Sequence, residues 1–126
     1  TQGNLIGIGR ADSGQLGIPS LADLDAGSCA IYPVVPLCKG KTDIQPIFTD
    51  IDCGTNHNLA LSSTGDVYSW GYGDMLALGH GKEADEKQPR KIDMKKAIDE
   101  RGRRTNSTYS VFAISAGGQH SALLGK

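Results

Sequence analysis

The chain has few of the residues that usually mark a chemical site. Its three cysteines, Cys29, Cys38 and Cys53, form an odd set with no C-x-x-C spacing, which argues against a disulfide framework and against a zinc site. That usage suits a reducing, intracellular setting. The three histidines show no metal-ligand spacing, and no serine stands in a G-x-S-x-G turn. No apolar run is long enough to span a bilayer, and no secretory leader pattern is present. Aromatic residues make up 6% of the chain with one tryptophan, and 13 basic residues face 14 acidic ones for a net charge of −1. Such a balance gives no global pull toward nucleic acid or an anionic membrane. Helical periodicity is nearly absent; one short charged run at 94–100 is the exception. Neither a cofactor nor an enzymatic site is therefore expected.

What the chain does have is glycine and repetition. Glycine fills 17 of 126 positions, about twice ordinary usage. Residues 47–79, IFTDIDCGTNHNLALSSTGDVYSWGYGDMLALG, hold three strand-like runs separated by glycine-bearing turns. Residues 1–17 align with 63–79, so that Gly3, Gly9 and Gly17 fall on Gly65, Gly71 and Gly79. Residues 111–124 align with 48–61, placing Gly117 and His120 on Gly54 and His57. Repeats of about this length, made of short strands and glycines, indicate a propeller or another stacked β array. Val67, Tyr68 and Trp70 follow a Thr-Gly-Asp turn and predict a hairpin with residues 57–61. Gly7-Ile8-Gly9 and Gly71-Tyr72-Gly73 look like the start of dinucleotide loops, but no helix follows and the third glycine is missing, so they read as turns. Cys53 reads as a small buried repeat residue, and Trp70 as core between sheets.

The segments CGTNHNLALSSTGDVYSWG and AGGQHSALL resemble the repeats of the regulator of chromosome condensation family of seven-bladed β-propellers. Cys53, Gly54, His57, Ala60, Leu61, Gly65, Val67, Tyr68, Trp70, Gly71 and Gly79 carry the match, and Gly117 and His120 open a further copy. Asn58, Ala77 and Ile8 depart from the pattern. The resemblance implies an all-β fold, a partial seven-bladed propeller of about two repeats. The units run at about 1–62 and 63–126, with a charged linker at 82–109, and form the C-terminal part of a longer propeller. Two repeats leave apolar faces uncovered, so the remaining blades are expected partners.

By the same resemblance, the chain belongs to a nuclear, chromatin-associated exchange factor that releases GDP from the small GTPase Ran. The nucleosome would be met through other parts of that protein, and no membrane is involved. His120, Asp85 and His57 are the candidates for the rim that faces the GTPase. Each has a structural reading beside it: a repeat histidine also serves to hold blade to blade, and Glu83 and Glu86 compete with Asp85 as exposed carboxylates. The basic run 87–104 carries eight lysines and arginines without an interleaved aromatic, which favours a solvated, mobile insertion over a nucleic-acid surface. The other branch of the family open to this chain is the scaffold or adaptor module, as in ubiquitin-ligase, kinase or trafficking proteins.

Overall fold

In a computed structural model, residues 3–19, 28–34, 45–104 and 109–126 are described. The eight strands are β1 (Leu5–Gly9), β2 (Ser28–Val34), β3 (Phe48–Cys53), β4 (His57–Ser62), β5 (Val67–Gly71), β6 (Glu86–Lys91), β7 (Val111–Ala116) and β8 (Ser121–Gly125). They form three antiparallel sheets: β1-β2, β3-β4-β5-β6, and β7-β8. The sheets are copies of one plan. β1 and β2 correspond to β5 and β6, down to a shared irregularity of register at Gly7/Gly9 and at Ser69/Gly71. β7 and β8 correspond to β3 and β4, again with a shared register break near the start of the first strand. This is one complete four-stranded blade between two halves of its neighbours.

The turns follow from glycine's access to positive φ. Gly3 and Gly65, Gly9 and Gly71, and Gly17 and Gly79 all adopt it in matched pairs, with φ of 69° and 72° in the last. Gly3 and Gly65 also accept on their carbonyls the amides of Phe48 and Val111, each at 3.1 Å, so the same bond stitches each sheet to the next. The blade straddles the 62/63 division of the sequence repeat. Each sequence unit therefore gives strands to two different sheets.

The stretches read from sequence as linkers hold the fourth strands. β2 lies between residues 20 and 45, and β6, Glu-Lys-Gln-Pro-Arg-Lys, lies within 82–109. β6 escaped notice because it ends the sheet, with Pro89 as its one buried residue. An edge strand needs little apolar alternation and tolerates proline. The basic run is also more tied down than a mobile insertion: Arg90 pairs with Glu86 and Lys91 with Asp66, and Asp99 accepts the Arg101 and Arg103 amides. Residues 105–108 of that run, with the Asn106 triplet, and Cys38 lie outside the described residues.

Two apolar clusters sit between sheets. Leu5, Val34, Phe48, Ala60 and Trp70 form one, with Tyr68 set edge-on to Phe48. Leu59, Leu61, Val67, Ile92 and Val111 form the other, joined by Met94, Ile114 and Leu123. Cys53 is in neither. Contrary to the expectation of burial, it ends β3 with an exposed side chain, as does Ile51 on the same face. That face of the strand is turned away from both joints.

Two substitutions test this account of the joints. Trp70→Ala is expected to lower stability by about 3–5 kcal/mol through lost transfer and cavity terms. Gly17→Ala combines left-handed strain with a Cβ only 2.7 Å from Val34 Cγ1 and 3.0 Å from Trp70 Nε1. Gly81→Ala carries strain alone, since nothing lies within 4 Å of its Cβ. Denaturant unfolding should show a cost of about 1–2 kcal/mol for Gly81→Ala and a clearly larger one for Gly17→Ala; equal costs would mean the joint is loosely packed.

Candidate functional site

The β3–β4 and β7–β8 turns are built alike. Gly54 N–H donates to His57 O at 2.8 Å, and Gly117 N–H to His120 O at 2.9 Å. In each, the imidazole folds back over the glycine that opens the turn. A Cβ at Gly54 would lie 2.7 Å from His57 Cε1, and one at Gly117 would lie 2.7 Å from His120 Nε2. Only glycine leaves that space, which explains the paired glycine and histidine of the repeat.

The two histidines then diverge. His57 is 2% exposed and its Nε2 lies 2.9 Å from Ser121 Oγ, on the next sheet. Ser121 Oγ donates its one proton to Ala77 O at 2.8 Å, so it accepts from His57, which fixes the Nε2–H tautomer. Burial, together with His120, holds the imidazole below the usual histidine range, while Asp52 opposes. Asp52 Oδ2 accepts the Ala116 amide at 2.7 Å and adds a second tie across the same joint. His57 thus joins sheet to sheet and presents no surface to a partner. His120, by contrast, is exposed.

Asp85 is exposed too, and it has a task within the chain. Its Oδ1 accepts the Gly73 amide at 2.9 Å. Gly73 leads into a 3-10 turn at Asp74–Leu76, where Met75 and Leu76 take φ of 52° and 59°. Non-glycine residues hold such angles only where the surroundings impose them. Glu86 is occupied by Arg90, so Asp85 differs from its neighbouring carboxylates. The loop that it holds meets the second turn: Asn56, His57, Tyr72, Asp74, Gly118 and Gln119 line a small cleft of about 40 Å³. His120, Asp85, Tyr72 and Gln119 therefore belong to one rim.

Ser121 and Asp52 are the joint residues that sequence reasoning passed over. The signal for Ser121 was present, because both repeat histidines precede a hydrogen-bonding side chain. Asn58 Nδ2 donates to Gln15 O at 2.8 Å as Ser121 does to Ala77 O, and residues 15 and 77 are repeat equivalents. Cys53, next to Asp52, has its thiol pushed up by partial burial and by that carboxylate. Among the described residues no group of three or more His, Cys, Asp or Glu side chains is placed to hold a metal ion, and no helix is long and apolar enough to cross a membrane.

Strand order, stitched joints and repeated turns define a class: blades of a β-propeller, joined by a shared set of turn and joint residues. Two family models described as the regulator of chromosome condensation (RCC1) repeat match the chain, at residues 64–124 and 48–75. The chain belongs to the regulator of chromosome condensation repeat family. It is 34% identical over 128 residues to human protein RCC2, covering 90% of this chain and 24% of that protein. It is 31% identical over 90 residues to the human E3 ubiquitin-protein ligase HERC2, covering 71% of this chain and 2% of the ligase. The structure is similar to the crystal structure of Prp20p from Saccharomyces cerevisiae, described with its binding to Gsp1p and histones. The TM-score is 0.68 at 26% identity, over 99% of this chain and 27% of that one. The chain thus spans about a quarter of the length of RCC2 and of Prp20p.

The His57 tie makes the joint sensitive to acid. Its folded pKa lies below the unfolded value of 6.5, so the unfolded chain takes up the proton first. The stabilisation is full above about pH 6.5 and is lost as the pH falls through the folded pKa. The thermal midpoint should drop between pH 7 and pH 5, and His57→Gln should flatten that slope. Ser121→Ala, which strands a buried N–H, is expected to cost about 1–3 kcal/mol at pH 7.

Proposed function

We propose that this chain is part of a chromatin-associated, nuclear guanine nucleotide exchange factor for the small GTPase Ran, and that its rim of His120, Gln119, Tyr72 and Asp85 meets the GTPase. The observation that carries the reading is the divergence of the two repeat histidines: one is consumed by the joint, while the other stands exposed beside a loop fixed in a costly conformation. The likeness to Prp20p, described with Gsp1p (Ran) and histones, supports it. Asp85 acts here mainly as a positioning residue, since its carboxylate holds Gly73. The two sequence units and the remaining blades belong to the same proposal, as does nucleosome contact through other parts of the protein.

Exchange needs no bond chemistry. A factor that binds the nucleotide-free GTPase more tightly than the loaded one must weaken nucleotide affinity by the same ratio. The rim contributes contact area to that preference. A second reading, a scaffold module within a larger ligase, is favoured by the match to HERC2.

In the full-length protein, His120→Ala is expected to slow release of labelled GDP from Ran by about fivefold or more, with the thermal midpoint nearly unchanged. Asp85→Ala should slow it as well, and Asp85→Asn, which keeps an acceptor for Gly73, should recover most of the rate. Unchanged GDP release with all three variants, alongside stable association with a ubiquitin-transfer domain, would replace exchange by the scaffold reading.

A further inference from the structure

The joint between the β3–β6 sheet and the β7–β8 sheet repeats the Trp70 joint position by position, with one member missing. Leu5, Val34, Phe48 and Ala60 surround Trp70. Their counterparts Val67, Ile92, Val111 and Leu123 come together in the second cluster, and among the described residues nothing there takes the place of Trp70. An apolar cavity of about 280 Å³ opens at this point instead, lined by Leu76, Ala77, Gly79, Ile92, Ser121 and Leu123 among others.

The details agree. Gly17 lies against the indole, whereas a Cβ on Gly79, at almost the same φ, would meet only Ile92, at 3.5 Å. Gln15 O accepts both Asn58 Nδ2 at 2.8 Å and Trp70 Nε1 at 2.9 Å. Its equivalent, Ala77 O, accepts Ser121 Oγ, and a carbonyl oxygen has a second lone pair to offer. β4 is paired along both edges, by β3 and β5, while its copy β8 is paired by β7 alone.

We propose that the free edge of β8 and this cavity form one receptor for an antiparallel β-strand with the chemistry of β5. In the register of the complete blade Trp70 stands opposite Asn58, so the docked strand places a tryptophan opposite Ser121. Its indole fills the cavity and donates Nε1–H to Ala77 O. Main-chain pairing supplies adhesion and the pocket supplies selection, as in other strand-addition interfaces. The occupant is a strand of a further repeat of this kind and not a second copy of this chain. The one tryptophan here is Trp70, 2% exposed and already held by Gln15. Leu76 adds a restriction. It replaces Gly14, whose missing side chain admits the backbone of β6: a Cβ at Gly14 would lie 2.7 Å from Lys87 Cα. Whatever follows the docked strand therefore passes further out at this joint.

The test uses a synthetic peptide with the sequence of residues 63–72, Ser-Thr-Gly-Asp-Val-Tyr-Ser-Trp-Gly-Tyr, titrated into the isotopically labelled 126-residue chain. Saturable binding is expected, with shifts at Ala77 and at least about tenfold slower amide exchange along residues 121–125. A peptide with Trp→Ala should bind at least about tenfold more weakly, and Leu123→Trp in the chain, which fills the cavity, should block the original peptide. If that variant does not fold, the two peptides on the unaltered chain decide. If the chain gains sheet structure only with peptide, the same comparison is read by circular dichroism. Equal effects of the two peptides, no effect of either, or a homodimer that protects β8 and resists the peptide would overturn the proposal.

Discussion

The carbonyl of residue 15, with its copy at residue 77, is the point on which the joints turn. Each lies in the tight glycine-bounded loop after a strand, and each faces the next sheet instead of water. Left alone, such a group would cost free energy comparable to a lost hydrogen bond. Gln15 O is instead met by Asn58 and Trp70, and Ala77 O by Ser121. The loop, the strand opposite and the apolar cluster beneath must therefore keep one register. The matched positive φ at Gly17 and Gly79 lets the chain make that loop at all.

The histidines show how one repeat residue serves two ends. The turn that folds an imidazole over a glycine is the same in both copies, so local sequence sets the ring's position. What the ring then touches depends on the neighbour. His57 finds Ser121 and is drawn out of water; His120, in the last sheet, stays exposed beside the loop held by Asp85. A rim built this way has a rigid base, because each exposed group is fixed by a turn whose partner turn is locked in a joint. Rigid presentation suits recognition of another protein, since little ordering entropy remains to be lost on binding.

Much of the fold was legible in the residues. Glycine spacing, the Val-Tyr-Ser-Trp strand and the paired Gly-x-x-His turns marked the repeat, because those positions carry constraints that few side chains meet. The fourth strands were not legible. β6 presents Glu, Lys, Gln and Arg to solvent and buries only Pro89, so its pairing with β5 comes from the backbone ladder and leaves no hydrophobic period to read. Cys53 was misplaced for a related reason: its position in the repeat is clear, but the side of β3 that meets a neighbour is not.

The sequence by itself determined the β class, the length of the repeat, the turns and the family, since each depends on local backbone geometry or on side chains at fixed spacing. Tertiary structure alone decided which repeat residues are joint and which are rim. Ser121, Asp52 and Asp85 acquire their roles from partners 44, 64 and 12 positions away in the chain. No local pattern encodes such distances; they arise when three separately formed sheets close on one another and bury the polar groups that hold them in register.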